Sequence, residues 1–223
     1  MRYILDKNQV KRQIDVCGWG DIFDNWILEQ IKMVEFLKGE YIVHREDELQ
    51  YLYFMCSGSA KILLEYSNGK ESLLQFASGP CLLGEMELFT NGISGAQVIA
   101  IKKCCCLLVP VGYGGSQLKT NNTFLNYLCG YLCNKVIVAQ KKASAIGCFP
   151  LKNRLAEFML EMEEENIYSV LHTEAAEYLG TSYRHLLLTL AQMTDQGVIK
   201  KAPGGYLILD RNKLQALAAQ IIG

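Results

Sequence analysis

Residues 183–201 hold the side chains whose types and spacing point most directly to chemistry. Arg184 offers the forked donor pair that matches guanine O6 and N7. Lys200 and Lys201 offer adjacent ammonium groups for a phosphate backbone. Tyr183 and Leu187 or Leu188 accompany the arginine, and the set expected to face DNA is Thr173, Ser182, Tyr183, Arg184, His185, Leu188, Lys200 and Lys201. Catalytic chemistry has far less to stand on, because no nucleophile–base triad and no Walker-type phosphate loop can be found. The three histidines, His44, His172 and His185, are scattered, and none has a cysteine at a metal-ligand spacing. Nine cysteines (17, 56, 81, 104–106, 129, 133 and 148) include no Cys-x-x-Cys pair, so core packing is expected rather than a metal or cluster site. On a strand, Cys104 and Cys106 would face one way and Cys105 the other.

The candidate DNA-reading residues need a scaffold, and the local sequence supplies one. Thr173 is placed to cap a short helix, with Glu174 beside the positive helix end and Ala175, Ala176 and Leu179 as its apolar face. Gly180 stops that helix, since glycine tolerates the left-handed backbone of a helix end. Ser182 then caps a second helix whose inward stripe is Leu186, Leu190 and Met193. Helix, glycine turn and capped helix describe a helix-turn-helix, whose second helix shows its first residues to base edges in the major groove. Residues 197–201 and 206–208, around Pro203-Gly204-Gly205, read as a hairpin wing that carries Lys200 and Lys201 past the phosphates. The alternative is a generic helical hairpin inside another domain; the wing favours DNA.

At 223 residues, half of them hydrophobic, the chain can build two modest cores. A net charge of −1 and a pI near 6.3 argue mildly against a nucleic-acid binder, for which a pI above about 9 is usual. Local charge answers this: residues 181–213 hold Arg184, Lys200, Lys201, Arg211 and Lys213 against Asp195 and Asp210, while acid gathers at 161–165. The N-terminus lacks a signal-like apolar core and no window reaches the 18 or so apolar residues of a span, so a cytoplasmic protein with no membrane partner and mostly free thiols is expected.

Upstream, short apolar or alternating runs at 31–36, 41–44, 51–55, 61–66, 72–76, 97–101 and 104–109 are punctuated by turn residues, including Ser67-Asn68-Gly69. This spacing suggests a small antiparallel barrel or roll. Residues 121–145 read as one long helix, and Pro150 marks a break. Leu151, Leu155, Phe158, Met159 and Met162 mark the next helix, and Leu214, Leu217 and Ile221 a last one at about 211–221.

The register of Gly180, Ser182 and Leu190, and the phrase Ala-Ala-Glu-Tyr-Leu-Gly-Thr-Ser-Tyr-Arg-His-Leu-Leu, resemble the DNA-binding half of the cyclic AMP receptor / fumarate-nitrate regulator (CRP/FNR) family, in particular its YeiL-like branch. Other members often carry an acidic residue at the Arg184 position, so a different operator is implied. Gly39, Gly58, Gly69, Gly79 and the motif Gly84-Glu85-Met86-Glu87-Leu88-Phe89 resemble the family's cyclic-nucleotide-binding β-roll. The resemblance makes Gly84, Glu85, Ser94 and Gly95 the candidate ligand positions, with Glu85 at the place that takes a ribose hydroxyl. The chain departs where family members hold the cyclic phosphate by an arginine: that position is Ser94, in a segment from Phe89 to Ala96 one residue shorter. A buried phosphate without its cation is very costly, so a cyclic nucleotide is disfavoured, no cofactor is expected and the effector stays open. The family's clustered N-terminal cysteines for an iron–sulfur cluster are also missing, since only Cys17 lies there.

The resulting expectation is an α+β chain with an N-terminal antiparallel β-roll (1–120), a dimerisation helix (121–147) and a C-terminal winged helix-turn-helix (148–223). Leu125, Leu128 and Leu132 would form the seam of a homodimer. The resemblance implies a dimeric, non-enzymatic transcription regulator whose partners are double-stranded DNA and RNA polymerase. Its rivals are an effector-gated member that binds a cyclic nucleotide or carries a redox or metal cofactor, and a β-roll regulatory module without DNA binding.

Overall fold

The computed structural model describes residues 1–66, 68–90, 92–111 and 117–222, with the backbone alone for 221 and 222. Ser67 of the expected hairpin turn and the side chain of Ile221 therefore lie outside the described residues. The chain forms two compact units, Met1–Cys133 and Asn134–Gly223.

The first unit opens with β1 (Arg2–Ile4), α1 (Lys7–Val16), a 3-10 turn at Trp19–Asp21 and α2 (Asn25–Leu28). It continues through β2 (Lys32–Phe36), β3 (Tyr41–Val43), β4 (Tyr51–Ser57), β5 (Ser59–Glu65), β6 (Glu71–Ser78), β7 (Cys81–Leu83), α3 (Glu85–Phe89), β8 (Ala96–Ala100) and β9 (Cys104–Pro110). Two antiparallel sheets result, ordered β1-β2-β9-β4-β7 and β3-β8-β5-β6. One core lies inside the roll and gathers Val34, Phe36, Ile42, Met55, Ile62, Val98, Cys104, Cys106 and Leu108. A second lies on the helical side and gathers Trp19, Phe23, Ile27, Leu52, Phe54, Leu107, Val109, Phe124 and Leu128. Strand β9 feeds both cores by period-two alternation, which is why its sequence is a near-continuous apolar run. Gly58 belongs to the same arrangement: a Cβ there would stand 2.3 Å from the Lys103 carbonyl oxygen, so β4 turns into β5 directly against β9.

The long helix α4 (Asn122–Cys148) begins in the first unit and ends in the second. Its last turns pack with the second unit. Ala145 is buried, Ile146 sits against Gly180, and Lys142 donates to the Tyr178 hydroxyl and lies 3.8 Å from Glu161. The second unit then contains α5 (Leu151–Met162), β10 (Ile167–Tyr168), α6 (His172–Tyr178), α7 (Tyr183–Asp195), β11 (Ile199–Ala202), β12 (Gly205–Ile208) and α8 (Arg211–Ile222). Its three-stranded sheet runs β10-β12-β11, so the acidic stretch after α5 leads into a strand that pairs with the wing. Buried Asn153 on α5 donates to the Leu217 carbonyl at 2.9 Å and to Gln220 at 2.7 Å, which satisfies its amide against α8.

One expected role is corrected by the packing. Leu128 was placed on the dimer seam, yet it is buried in the helical-side core of its own roll together with Phe124. Leu132 is half-buried against the same core, and Leu125 is half-buried. The apolar residues that α4 leaves in water come later: Val136, Ile137 and Val138 are each about half exposed. Leu128→Ala should therefore cost about 2–5 kcal/mol of unfolding free energy, measured by denaturant titration, as for any leucine removed from a packed core.

Candidate nucleic-acid interface

The second unit builds its outer surface from two helix ends. Helix α6 closes with Gly180 at φ +59°, while the Thr181 amide donates to Ala176 O at 2.9 Å and the Gly180 amide to Glu177 O at 3.0 Å. These are the paired bonds of a Schellman stop, which satisfy carbonyls the helix cannot. Arg154 adds to the closure by donating to the carbonyls of Phe149 and Leu179. After the turn, the Ser182 hydroxyl accepts from the His185 amide at 3.2 Å and caps α7. Ala175, Ala176, Leu179, Leu186, Leu190 and Met193 are all buried, as the inward stripes require.

Thr173 does not cap α6. The helix starts at His172 with Leu171 in the cap position and no side-chain cap, which leaves Thr173 inside the first turn, exposed. A hydroxyl there is already past the amides it would have to receive.

The solvent face of α7 carries two rows at helical spacing. Tyr183 leads to Leu187, and Arg184 leads to Leu188. His185 is exposed beside them, its Nδ1 3.3 Å from the Thr181 hydroxyl. The wing stands close by. In the register Lys201 lies directly across from Tyr206, and Lys200 across from Leu207. Successive strand residues point to opposite faces, so only Lys201 shares its face with Tyr206. The Tyr206 ring lies 5.8 Å from that of His172, which in turn lies 6.3 Å from that of Tyr183. This ring series joins the wing, the start of α6 and the start of α7. His172 and Tyr206 belong to that surface although neither stands out in the sequence as a DNA-facing residue. Their meeting depends on three elements coming together, and no local spacing announces it.

Charge sorts itself on this surface. Arg211 pairs with Glu163 at 2.8 Å and donates to Asn166 at 2.9 Å, and Lys213 lies 3.2 Å from Asp210. Arg184, Lys200 and Lys201 have no ion-pair partner among the described residues. These three cations, on α7 and the wing, are therefore available to an outside anion.

In the roll, Gly84 at φ +90° leads into α3, and a Cβ there would meet Leu49 Cδ1 at 2.7 Å. Glu85 is buried. Ser94 is buried as well: its hydroxyl donates to Ala96 O at 2.7 Å and lies 3.4 Å from Glu87, and its amide donates to Asp47 O at 3.1 Å. Ser94 therefore ties the segment after α3 to the 44–49 turn, while Gly95 is exposed. From α4, the Tyr131 hydroxyl accepts from the Leu82 amide at 3.0 Å, just before Gly84.

The cysteines of the first unit's strands pack as small hydrophobes, with Cys104 and Cys106 buried and Cys56, Cys81 and Cys105 half-buried, whereas Cys129, Cys133 and Cys148 on α4 are exposed, contrary to the expected core packing. Burial pushes the Cys104 thiol up to about 11 and the Cys106 thiol higher, which disfavours the thiolate needed for metal binding or redox attack. Among the described residues no three histidine, cysteine or acidic side chains form a metal-holding group. Among them, too, no helix is long and apolar enough to cross a membrane.

Comparison with known proteins agrees with both halves of the chain. Residues 33–117 match the cyclic nucleotide-binding domain family, and residues 153–217 match the Crp-like helix-turn-helix domain family. Regulatory protein YeiL of Escherichia coli O157:H7 is 36% identical over 201 residues, covering 90% of this chain and 92% of the relative. The cyclic AMP receptor protein of Thermus thermophilus is 22% identical over 184 residues, covering 81% and 85%. Among solved structures, a transcriptional regulator of the CRP/FNR family from Eubacterium rectale superposes with a TM-score of 0.72 at 21% identity, covering 90% of this chain and 97% of the other.

Proposed function

The chain belongs to the CRP/FNR family of transcription regulators, and we propose that it works as a homodimer which reads operator DNA with the first turns of α7. The observation that carries this reading is the Ser182-capped helix, which leaves Tyr183, Arg184 and Leu188 exposed, with Arg184, Lys200 and Lys201 lacking ion-pair partners among the described residues. Arg184 takes a guanine, Lys201 a phosphate on the side of the ring series, and Lys200 a phosphate from the other face of the wing. As a transcription regulator it exerts its effect on RNA polymerase at the promoters it occupies.

The dimer forms through α4. Leu128 belongs to the roll's own core, so the seam follows the stripe Leu125, Cys129, Leu132, Val136, Ala139, Ala143 and Ile146, at the 3–4 spacing of paired helices. The exposure of Val136 and Ile146 on this stripe supports a covering partner helix. The roll serves as a sensor domain without a cyclic nucleotide, and no cofactor is needed for the fold. Ser94 is engaged by the Ala96 carbonyl, and the Glu87 carboxylate 3.4 Å from its hydroxyl would repel a phosphate brought to it. An effector, if one is used, is less acidic than a cyclic nucleotide.

Three measurements test this reading. In mobility-shift titrations Arg184→Ala should cost about 1–3 kcal/mol on a selected site and little on random DNA, while Lys201→Ala should weaken both alike and flatten the salt slope by about one. Equal losses for both variants on all DNA would remove Arg184 from base reading. Val136→Glu should give a folded monomer in analytical ultracentrifugation; a persistent dimer places the interface elsewhere. Millimolar cyclic AMP should leave the melting temperature unchanged, whereas a ligand at 100 times its dissociation constant adds about 2.7 kcal/mol, a shift that a thermal scan registers.

A further inference from the structure

Two leucines on α7 stand outside its buried stripe. Leu187, on the flank of the helix, is 36% exposed, and Leu188, on the side opposite the buried Leu186, Leu190 and Met193, is 57% exposed. Leu187 stands one turn after Tyr183, on the row whose ring leans toward His172 and the wing. Leu188 stands one turn after Arg184, which, like Lys200 and Lys201 of the wing, has no ion-pair partner among the described residues. An apolar patch set among cations at the capped, positive end of a helix suits a polyanion that also offers a hydrophobic group.

We infer that Leu188 is a specificity-determining residue that reads the methyl group of a thymine, next to the guanine held by Arg184. The inference rests on the DNA-reading role proposed for α7. Of the groups that base pairs present in the major groove, the thymine C5 methyl is the apolar one, and the rest are hydrogen-bond donors or acceptors. A leucine pressed on guanine O6, adenine N6 or cytosine N4 would strip water from a polar atom and return no bond. Pressed on thymine it removes two apolar surfaces from water together. One turn of helix is about 5.4 Å, which spans one to two base pairs at about 3.4 Å each. Each half-site therefore carries a thymine one or two base pairs from the guanine that meets Arg184. Arginine and leucine at this spacing act in complementary ways, since the first demands acceptors and the second excludes them.

The test uses the full-length protein and a site selected from a randomised duplex pool. Each thymine of that site is replaced singly by uracil, which deletes only the C5 methyl, and each guanine by 7-deazaguanine, which deletes only the N7 acceptor. One uracil position per half-site should lose about four-fold in affinity, the weight of one methyl group taken out of water. Leu188→Ala should bind the thymine and uracil duplexes equally, keep the wild-type melting temperature, and retain the loss at 7-deazaguanine. If no uracil position matters, or if Leu188→Ala keeps the same uracil penalty, Leu188 does not read a methyl group. Sensitivity to 7-deazaguanine without sensitivity to uracil overturns this inference and leaves the Arg184 reading in place. Selection of no site above random DNA overturns both.

Discussion

Strand β9 is covered on both faces, and that constraint shapes the first unit. Cys104, Cys106 and Leu108 enter the core of the roll while Leu107 and Val109 enter the core under the helices, so none of these positions tolerates an unpaired polar group. The rest of the roll is registered against it: β2 and β4 both pair with β9, and Gly58 lets β5 start within van der Waals reach of its backbone. Phe124 and Leu128 of α4 rest on the far side of the same strand's core. A run of three cysteines is thus a packing solution, in which small apolar side chains fill two cores at once.

Where local rules decide structure, the sequence is legible. The Gly180 stop and the Ser182 cap are settled within six residues, and both appear with their expected bonds. The alternating strands follow from period-two burial, with ends shifted by a residue or two. Thr173 shows the limit of the same rules, because Leu171, a weaker cap by chemistry, takes the position once α6 starts at His172. What stays illegible depends on partners distant in sequence. The strand Ile167–Tyr168 exists because β12 offers it an edge, and β7 because β4 does. Leu128 looks like a seam residue on any helical projection, and only the roll beneath it reveals the other use. The ring series from Tyr206 through His172 to Tyr183 likewise joins residues that share no periodicity.

Net charge misleads for a related reason. A chain at −1 can still carry a local basic surface, because acids beside the candidate interface pair with some of its bases. Of the bases within residues 181–213, Arg211 is held by Glu163 and Lys213 by Asp210, while Arg184, Lys200 and Lys201 have no ion-pair partner among the described residues. Counting formal charges over residues 181–213 overstates the number of groups free for DNA and hides where they stand.

The Arg211–Glu163 pair has a practical consequence. Glu163 is largely shielded, and Asn166 shares Arg211 with it, so mobile ions screen this contact far less than they screen lysines on a wing. Nucleic-acid affinity and integrity of the small unit therefore respond to ionic strength on different scales. At the bench, a concentrated salt wash strips co-purifying nucleic acid from the protein while the sheet and helices that carry α7 stay assembled, and lowering the salt afterwards restores a surface ready to bind.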